Sequence, residues 1–136
     1  MTAPNNNAPI RLALADDQAL VRAGLRALLE GFADLQVVVE VADGGELIAA
    51  LEATPVDVIL SDIRMPGVSG IEALQRLREA GKTTPVILLT TFDDADLMLE
   101  ATRSGAQGFL LKDAAPEDLR DVILAASKGE QLLQPV

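Results

Sequence analysis

Five polar side chains that could do chemistry follow short apolar segments along the chain. Asp16 and Asp17 follow one such segment, and Asp62, Thr90 and Lys112 lie at or just beyond the ends of three others. The chain has no cysteine and no histidine, which excludes disulfides, thiolate metal sites and Ser-His-Asp catalysis. Any chemistry must therefore use carboxylates, hydroxyls, amines and guanidinium groups.

The apolar segments are short, which is typical of buried strands. They are Ile10–Ala15, Gln36–Val41, Val56–Leu60, Val86–Leu89 and Gly108–Leu111. A longer segment follows each of them. Five strands that alternate with five helices predict an α/β fold, in which a parallel sheet carries helices on both faces.

Apolar residues recur at helical spacing in the longer segments. They are Val21, Leu25, Leu28 and Leu29 in the first, Leu47, Ile48 and Leu51 in the second, Ile71, Leu74 and Leu77 in the third, and Leu119, Val122, Ile123 and Ala126 in the fifth. The fourth, near Asp94–Ser104, has the weakest pattern. Ser69 and Glu72 form a capping-box pattern, and Pro116 suits the first turn of the last helix.

The ends of the strands predict where the site lies. The carboxyl ends of parallel strands share one edge of the sheet, and ligands bind at that edge in open α/β folds. We therefore expect the carboxylates of Asp16, Asp17 and Asp62 to meet there, together with Thr90 and Lys112. Three carboxylates repel one another, so that Lys112 and a divalent cation would balance their charge. Oxygen ligands favour Mg²⁺ as that cation.

Such a site suits phosphoryl transfer. The cation neutralises charge as a phosphoryl group arrives, while Lys112 and Thr90 can contact other phosphoryl oxygens. Asp62 would then be the nucleophile that forms an aspartyl phosphate. Taken singly, each residue is more often a helix cap, a turn residue or a solvated charge. Their order along the chain and their common edge favour phosphoryl transfer.

The composition excludes several partners. The formal net charge is −10 and the pI is about 4.3, so that the surface would repel the phosphates of DNA or of an anionic membrane. No apolar run reaches the roughly 18 residues that a membrane-spanning helix needs. The first residues, Met1–Pro9, lack the pattern of a secretory signal, and a cytoplasmic protein is expected.

Four stretches of the chain resemble the receiver domains of two-component response regulators, in the NarL/FixJ-like subfamily. They are Leu14–Gln18, Ser61–Gly67, Leu89–Asp94 and Gly108–Asp113. The resemblance extends from Ile10 over nearly all of the chain. It implies a flavodoxin-like (βα)5 fold, which is a doubly wound, five-stranded parallel sheet with strand order 2-1-3-4-5 and helices on both faces.

The resemblance also implies a role for each charged residue of the predicted site. Asp62 matches the phosphoacceptor, and Lys112 matches the lysine that pairs with the phosphoryl group. Asp16 and Asp17 match the acidic pair that binds Mg²⁺. Asp62 and the backbone carbonyl of Arg64 would complete the protein ligands of this metal.

Two further residues match the switch of the family. Thr90 matches the switch hydroxyl, which moves toward the phosphorylated Asp62 and vacates space. Phe109 matches the switch aromatic, which can turn into that space, so that the face of the fourth helix, fifth strand and fifth helix changes shape. A sensor histidine kinase would supply the phosphoryl group. The chain would catalyse only its own phosphorylation and dephosphorylation, and so would not be an enzyme in the ordinary sense.

The resemblance divides the chain into three parts. Residues 1–9 are predicted to be a flexible tail, residues 10–130 the receiver domain, and residues 131–136 the start of a linker. The linker would lead to a helix-turn-helix output domain outside this chain, through which alone the protein would contact DNA and regulate transcription. Formation of a homodimer on phosphorylation is compatible with the resemblance.

Other functions fit the sequence less well. Phosphatases and dehalogenases with an Asp nucleophile typically need a second Asp two residues later, where Arg64 stands. A flavin carrier needs a phosphate-binding loop where Asp16, Asp17 and Gln18 would repel the phosphate. A degenerate receiver would normally have a broken acidic pocket, whereas every position is filled here. The main alternative is a stand-alone receiver that acts by binding a protein target.

Overall fold

The computed structural model describes residues 8–90 and 95–129. Most of the predicted tail, residues 1–7, lies outside the described residues, and so does the whole of the predicted linker, 131–136. The end of the Leu89–Asp94 stretch also lies outside them, from residue 91 on. The division of the chain into tail, domain and linker therefore stays a prediction.

Five strands and five helices alternate along the described residues, as the sequence predicts. They are β1 (Ile10–Ala15), α1 (Ala19–Glu30), β2 (Leu35–Val41), α2 (Gly44–Ala53), β3 (Val58–Asp62), α3 (Gly70–Glu79), β4 (Val86–Thr90), α4 (Ala95–Arg103), β5 (Gly108–Leu111) and α5 (Pro116–Ser127). None of these helices is long and apolar enough to cross a membrane.

The strands form one parallel sheet in the order β2-β1-β3-β4-β5, which confirms the predicted topology. Every residue of the central strands β3 and β4 is buried, because helices cover both faces of the sheet. One core cluster joins the sheet to α2, α3 and α4, and another joins it to α1 and α5. These two clusters hold the strand ends in fixed relative positions.

The bounds of β3 differ from those predicted. The sequence predicts a strand with the apolar segment Val56–Leu60 and with Asp62 at its carboxyl end, whereas the strand begins at Val58 and ends at Asp62. Before it, Asp57 accepts a hydrogen bond from the backbone N–H of Arg11 at 2.8 Å. The predicted end at Asp62 is confirmed, and only the predicted start was wrong, because backbone hydrogen bonds, not apolar character, set the bounds of a strand. Asp62 is consequently a buried residue within β3.

The sequence signals for helix starts are confirmed at α3 and α5, whereas the predicted buried face of α1 is confirmed only in part. Ser69 and Glu72 form the predicted capping box, and Pro116 begins α5. In α1, however, Val21 and Leu28 are 38% and 48% exposed. The apolar spacing therefore predicted the helix correctly and overestimated the width of its buried face.

Candidate functional site

The three predicted carboxylates lie together at the carboxyl edge of the sheet. Asp16 follows β1 and Asp62 ends β3, and these strands pair in parallel with Ala15 opposite Ser61. Each of the residues Asp16, Asp17 and Asp62 offers one carboxylate oxygen, and these oxygens all lie within 4.8 Å of one another. The convergence that the sequence predicted is therefore present in the structure.

Asp16 is the most deeply buried member of this cluster, with none of its surface exposed. Its Oδ1 accepts a hydrogen bond from the backbone N–H of Gln18 at 2.9 Å. Its Oδ2 is buried and accepts no hydrogen bond from any residue that the structure describes. A buried carboxylate oxygen without a partner is costly, and a cation is one ligand that would satisfy it. The cluster therefore fits a hard cation that prefers oxygen ligands, such as Mg²⁺.

Asp62 is buried beside Lys112. The Nζ of Lys112 donates to Oδ2 of Asp62 at 2.9 Å, and the backbone N–H of Arg64 lies 3.4 Å from Oδ1. The backbone N–H of Lys112 donates to the carbonyl of Thr90 at 2.9 Å, which continues the pairing of β4 and β5 and places the lysine at the site. Lys112 is thus bound to the cluster and is not a free surface charge.

The charges of the cluster shift the pKa values of Asp62 and Lys112. Burial raises the pKa of Asp62, as does the charge of Asp16, and the opposing effect of Lys112 only partly offsets the increase. Burial by itself would lower the pKa of Lys112, but its hydrogen bond to Asp62 and the charges of the three carboxylates raise it. The lysine therefore stays protonated, and the cluster retains an excess of negative charge that a cation would relieve.

The sequence profile of the response regulator receiver domain family matches residues 12–124. This chain belongs to that family. The receiver is 46% identical over 131 residues to the uncharacterized transcriptional regulatory protein YxjL of Bacillus subtilis, covering 96% of this chain and 60% of that protein. It is 39% identical to the nitrate/nitrite response regulator protein NarP of Escherichia coli, covering 91% of this chain and 58% of that protein. The receiver thus spans about 60% of the length of such relatives.

A solved structure has the same fold. The signal receiver domain of the response regulator NarL from Mycobacterium tuberculosis matches with a TM-score of 0.86 and 32% sequence identity. The match covers 90% of this chain and 99% of that one. Fold and family therefore agree with the resemblance that the four sequence stretches indicated.

The two predicted switch residues lie on neighbouring strands of the receiver. Thr90 ends β4, Phe109 lies in β5, and both are only 1% exposed. Phe109 already packs inside the core, in the cluster that contains Ala101 of α4 and against which Leu97 and Met98 are packed. The segment 91–94, which joins Thr90 to α4, lies outside the described residues. Movement of these two side chains therefore stays a prediction.

Arg64, the last predicted site residue, lies in the connection between β3 and α3 and is exposed. Its backbone N–H lies 3.4 Å from Oδ1 of Asp62. Its carbonyl as a metal ligand remains a prediction from the family resemblance.

Gly70, which begins α3, is a residue of the site that the sequence patterns did not predict. A Cβ atom at Gly70 would lie 2.2 Å from the backbone carbonyl oxygen of Asp62, so that any larger residue would displace either the helix or the phosphoacceptor strand. Ser61 adds a hydrogen bond from its Oγ to the same carbonyl at 2.9 Å. A glycine directly after the capping Ser69 was the available signal, because glycine often marks a close approach of two backbones.

Arg22 of α1 is a second residue of the site that the sequence patterns did not predict. Its Nη1 donates to the backbone carbonyl of Asp16 at 2.6 Å. Arg22 lies six positions beyond Asp16 in a helix that also contains Arg26, and its residue type gives no indication of which atom it binds. Only the path of the chain between β1 and α1 reveals this contact.

Proposed function

We propose that this receiver accepts a phosphoryl group on Asp62 from the phosphohistidine of a sensor histidine kinase, with Mg²⁺ bound beside it. One observation carries the proposal. The carboxylates of Asp16, Asp17 and Asp62 meet within 4.8 Å, and the buried Oδ2 of Asp16 has no hydrogen-bond partner among the described residues. A cluster built only for stability would pair such an oxygen.

The chain offers a ligand set that suits Mg²⁺. The carboxylates of Asp16, Asp17 and Asp62 would hold the metal, and the backbone carbonyl of Arg64 would complete the protein ligands. When bound, Mg²⁺ would supply positive charge that offsets the repulsion between these carboxylates and the phosphoryl oxygens. The buried position of Asp16 and the exposed position of Asp17 leave the cluster open to solvent on one side.

The side chains around Asp62 support a direct transfer. An ionised carboxylate oxygen of Asp62 attacks phosphorus, the P–N bond of the donor phosphohistidine breaks, and its electron pair returns to the imidazole. Lys112, held 2.9 Å from Oδ2 of Asp62, is placed to neutralise one phosphoryl oxygen. The hydroxyl of Thr90 is the proposed hydrogen-bond donor to a second phosphoryl oxygen. Hydrolysis of the aspartyl phosphate by water resets the receiver, which acts on no separate substrate.

The proposed output of phosphorylation is a change of the surface formed by α4, β5 and α5. The new charge on Asp62 would draw Thr90 toward it and favour the buried position of Phe109, which packs with the core side of α4. This arrangement supports a two-state switch because Thr90 and Phe109 lie on paired strands. Homodimer formation through the changed surface is part of the same proposal.

We also propose that the receiver regulates transcription through a DNA-binding domain that follows it. Similar proteins are named transcriptional or nitrate/nitrite regulators, and the receiver covers about 60% of their length. The net charge of −10 suits a domain that leaves DNA contacts to another domain, and such a protein would work in the cytoplasm. Codons for a helix-turn-helix after Val136 would support this proposal, whereas a stop codon there would favour a stand-alone receiver.

Intact-mass spectrometry tests the phosphoacceptor. With Mg²⁺ and a small phosphodonor such as acetyl phosphate, the wild type should gain one phosphoryl group and Asp62→Asn should gain none. Asp57→Asn is the matched control, because Asp57 directly precedes β3 at the opposite end of the strand. Beryllofluoride should likewise bind the wild type and the control. Equal adducts on wild type and Asp62→Asn would remove Asp62 from its proposed role.

A further inference from the structure

The peptide bond that joins Asp16 to Asp17 is held by a side chain from α1. The Nη1 of Arg22 donates to the carbonyl oxygen of Asp16 at 2.6 Å. Because a peptide unit is planar, the direction of this carbonyl also fixes the N–H of Asp17 and the Cα atoms on either side. A single hydrogen bond therefore influences the direction of both acidic side chains.

Arg22 is itself held from a third element of the fold. Its Nε lies 3.7 Å from Oε2 of Glu40, which belongs to β2. The guanidinium is a planar group with donors fixed relative to one another, so that contact along one edge helps to orient the other edge. Only 20% of the Arg22 side chain is exposed, which limits the alternative positions it can take.

The other contacts of Asp16 come from the backbone. Its N–H donates to the carbonyl of Val41 at 3.1 Å, and its Oδ1 accepts from the N–H of Gln18 at 2.9 Å. Together with the contact from Arg22, these bonds hold the backbone N–H, the backbone carbonyl and one carboxylate oxygen of Asp16. Oδ2 is buried and accepts no hydrogen bond from the described residues.

We infer that Arg22 is a positioning residue for the magnesium site, acting through the carbonyl of Asp16 and oriented by Glu40. The inference rests on the proposed binding of Mg²⁺ by Asp16 and Asp17. The hydrogen bond from Arg22 preorganises the two carboxylates, so that less order must be imposed on them when the ion binds. Arg22 does not touch the ion or the phosphoryl group, and it acts only by fixing the peptide between the two ligands.

The chain provides a matched control one turn further along α1. Arg26 also pairs with Glu40, at 3.3 Å, and with Glu30, at 3.4 Å, and its side chain is 50% exposed. Arg26→Met removes the same formal charge from the same helix and the same acidic partner. It leaves the hydrogen bond from Arg22 to the carbonyl of Asp16 in place.

The direction in which the Kd for Mg²⁺ changes in Arg22→Met distinguishes a positioning role from a direct electrostatic effect. Removing a cation close to a Mg²⁺ site would by Coulomb interaction alone strengthen binding of the ion. Loss of preorganisation weakens binding instead. Removing a residue that orients metal ligands typically reduces affinity by about tenfold or more, so we expect the Kd of Arg22→Met for Mg²⁺ to rise about tenfold. The Kd of Arg26→Met should stay at the wild-type value or fall.

Isothermal titration calorimetry with Mg²⁺ alone measures these constants on the folded receivers, well below their melting temperatures. The Mg²⁺ dependence of acetyl phosphate modification gives a second measurement. For Arg22→Met the half-saturating Mg²⁺ concentration should rise, while saturating Mg²⁺ should restore most of the rate. Thermal melts without Mg²⁺ must show that both variants are fully folded at the assay temperature, because Mg²⁺ would otherwise shift a partly unfolded variant to the folded state and produce the same split.

Other outcomes would overturn the inference. An unchanged or lower Kd for Arg22→Met would show that the carbonyl contact does not prepare the site, and an equal rise in Arg26→Met would assign the effect to the pairing with Glu40. If Arg22→Met does not fold, Arg22→Lys takes its place, since it keeps the positive charge but lacks the fixed guanidinium donors that contact both Asp16 and Glu40. Its Kd for Mg²⁺ should rise, and an unchanged Kd would overturn the inference. Failure of the wild type to bind Mg²⁺ would instead overturn the proposed function.

Discussion

Aspartate carboxylates at the two edges of the sheet differ in how fully they are paired with positively charged donors. At the carboxyl edge, three carboxylates face a single lysine, and one oxygen of Asp16 has no donor among the described residues. Before β2 at the amino edge, both oxygens of Asp34 accept hydrogen bonds from Arg120, at 3.2 and 2.5 Å. The guanidinium of Arg120 also lies 5.6 Å from the ring centre of Phe32.

The pKa values of the two aspartates shift in opposite directions for this reason. The hydrogen bond from Arg120 lowers the pKa of Asp34, whereas burial raises the pKa of Asp62. A lowered pKa means that the folded state favours the charged form, and a raised pKa means that it disfavours it. The charges at the amino edge therefore stabilise the fold, whereas the charges at the carboxyl edge carry a cost that a bound cation would relieve.

The largest expected effect comes from removing one carboxylate of the cluster. Asp17→Ala should reduce the rate of Mg²⁺-dependent phosphorylation by about a hundredfold, because charge stabilisation at a reacting group is typically worth this much. The fold should stay intact, since Asp17 is exposed. The initial rate by mass spectrometry and a thermal melt measure the two effects. A wild-type dependence on Mg²⁺ concentration in this variant would contradict the metal assignment.

A smaller effect, on stability, is expected for Asp62→Asn without Mg²⁺. Because the pKa of Asp62 is raised in the folded state, its stabilising contribution is present at low pH and is lost as the pH rises through the raised value. At neutral pH the buried charge therefore costs stability, and the variant should gain on the order of 1 kcal/mol in the free energy of unfolding.

Chemical denaturation at a series of pH values measures this gain, which should shrink as the pH falls. A variant less stable than the wild type at neutral pH would show that the ion pair with Lys112 outweighs the burial of Asp62. The charges at both edges of the sheet would then stabilise the fold.

The smallest effect is expected at the amino edge. The pKa of Asp34 is lowered, so its stabilising contribution is present above the ordinary pKa of aspartate and is lost as the pH falls through the lowered value. Since the side chains of Arg120 and Asp34 are 36% and 39% exposed, Asp34→Asn should cost only about 0.5–1 kcal/mol at neutral pH. Its phosphorylation rate should equal that of the wild type. A changed rate would mean that the two edges are coupled.

The amino-acid sequence is sufficient to predict the order of the elements and the edge of the sheet at which the site lies. Alternating apolar segments predict the parallel sheet, and parallel strands bring their carboxyl ends together whatever the details of packing. The sequence signals for helix starts also gave correct predictions. The capping box of Ser69 and Glu72 and the proline at the start of α5 act on neighbouring residues, so that their effect can be read from adjacent positions.

Which atoms of the site are paired depends on the packing of separate elements and cannot be predicted from the sequence. Three features of the site depend on how separate elements pack. Oδ2 of Asp16 lacks a donor among the described residues, Gly70 lies against the backbone of Asp62, and Arg22 binds the carbonyl of Asp16. The exposure of Val21 and Leu28 in α1 depends on packing as well. Residue types along a chain specify which groups are available, but the distances between elements that are remote in sequence are set only when the helices close over the sheet.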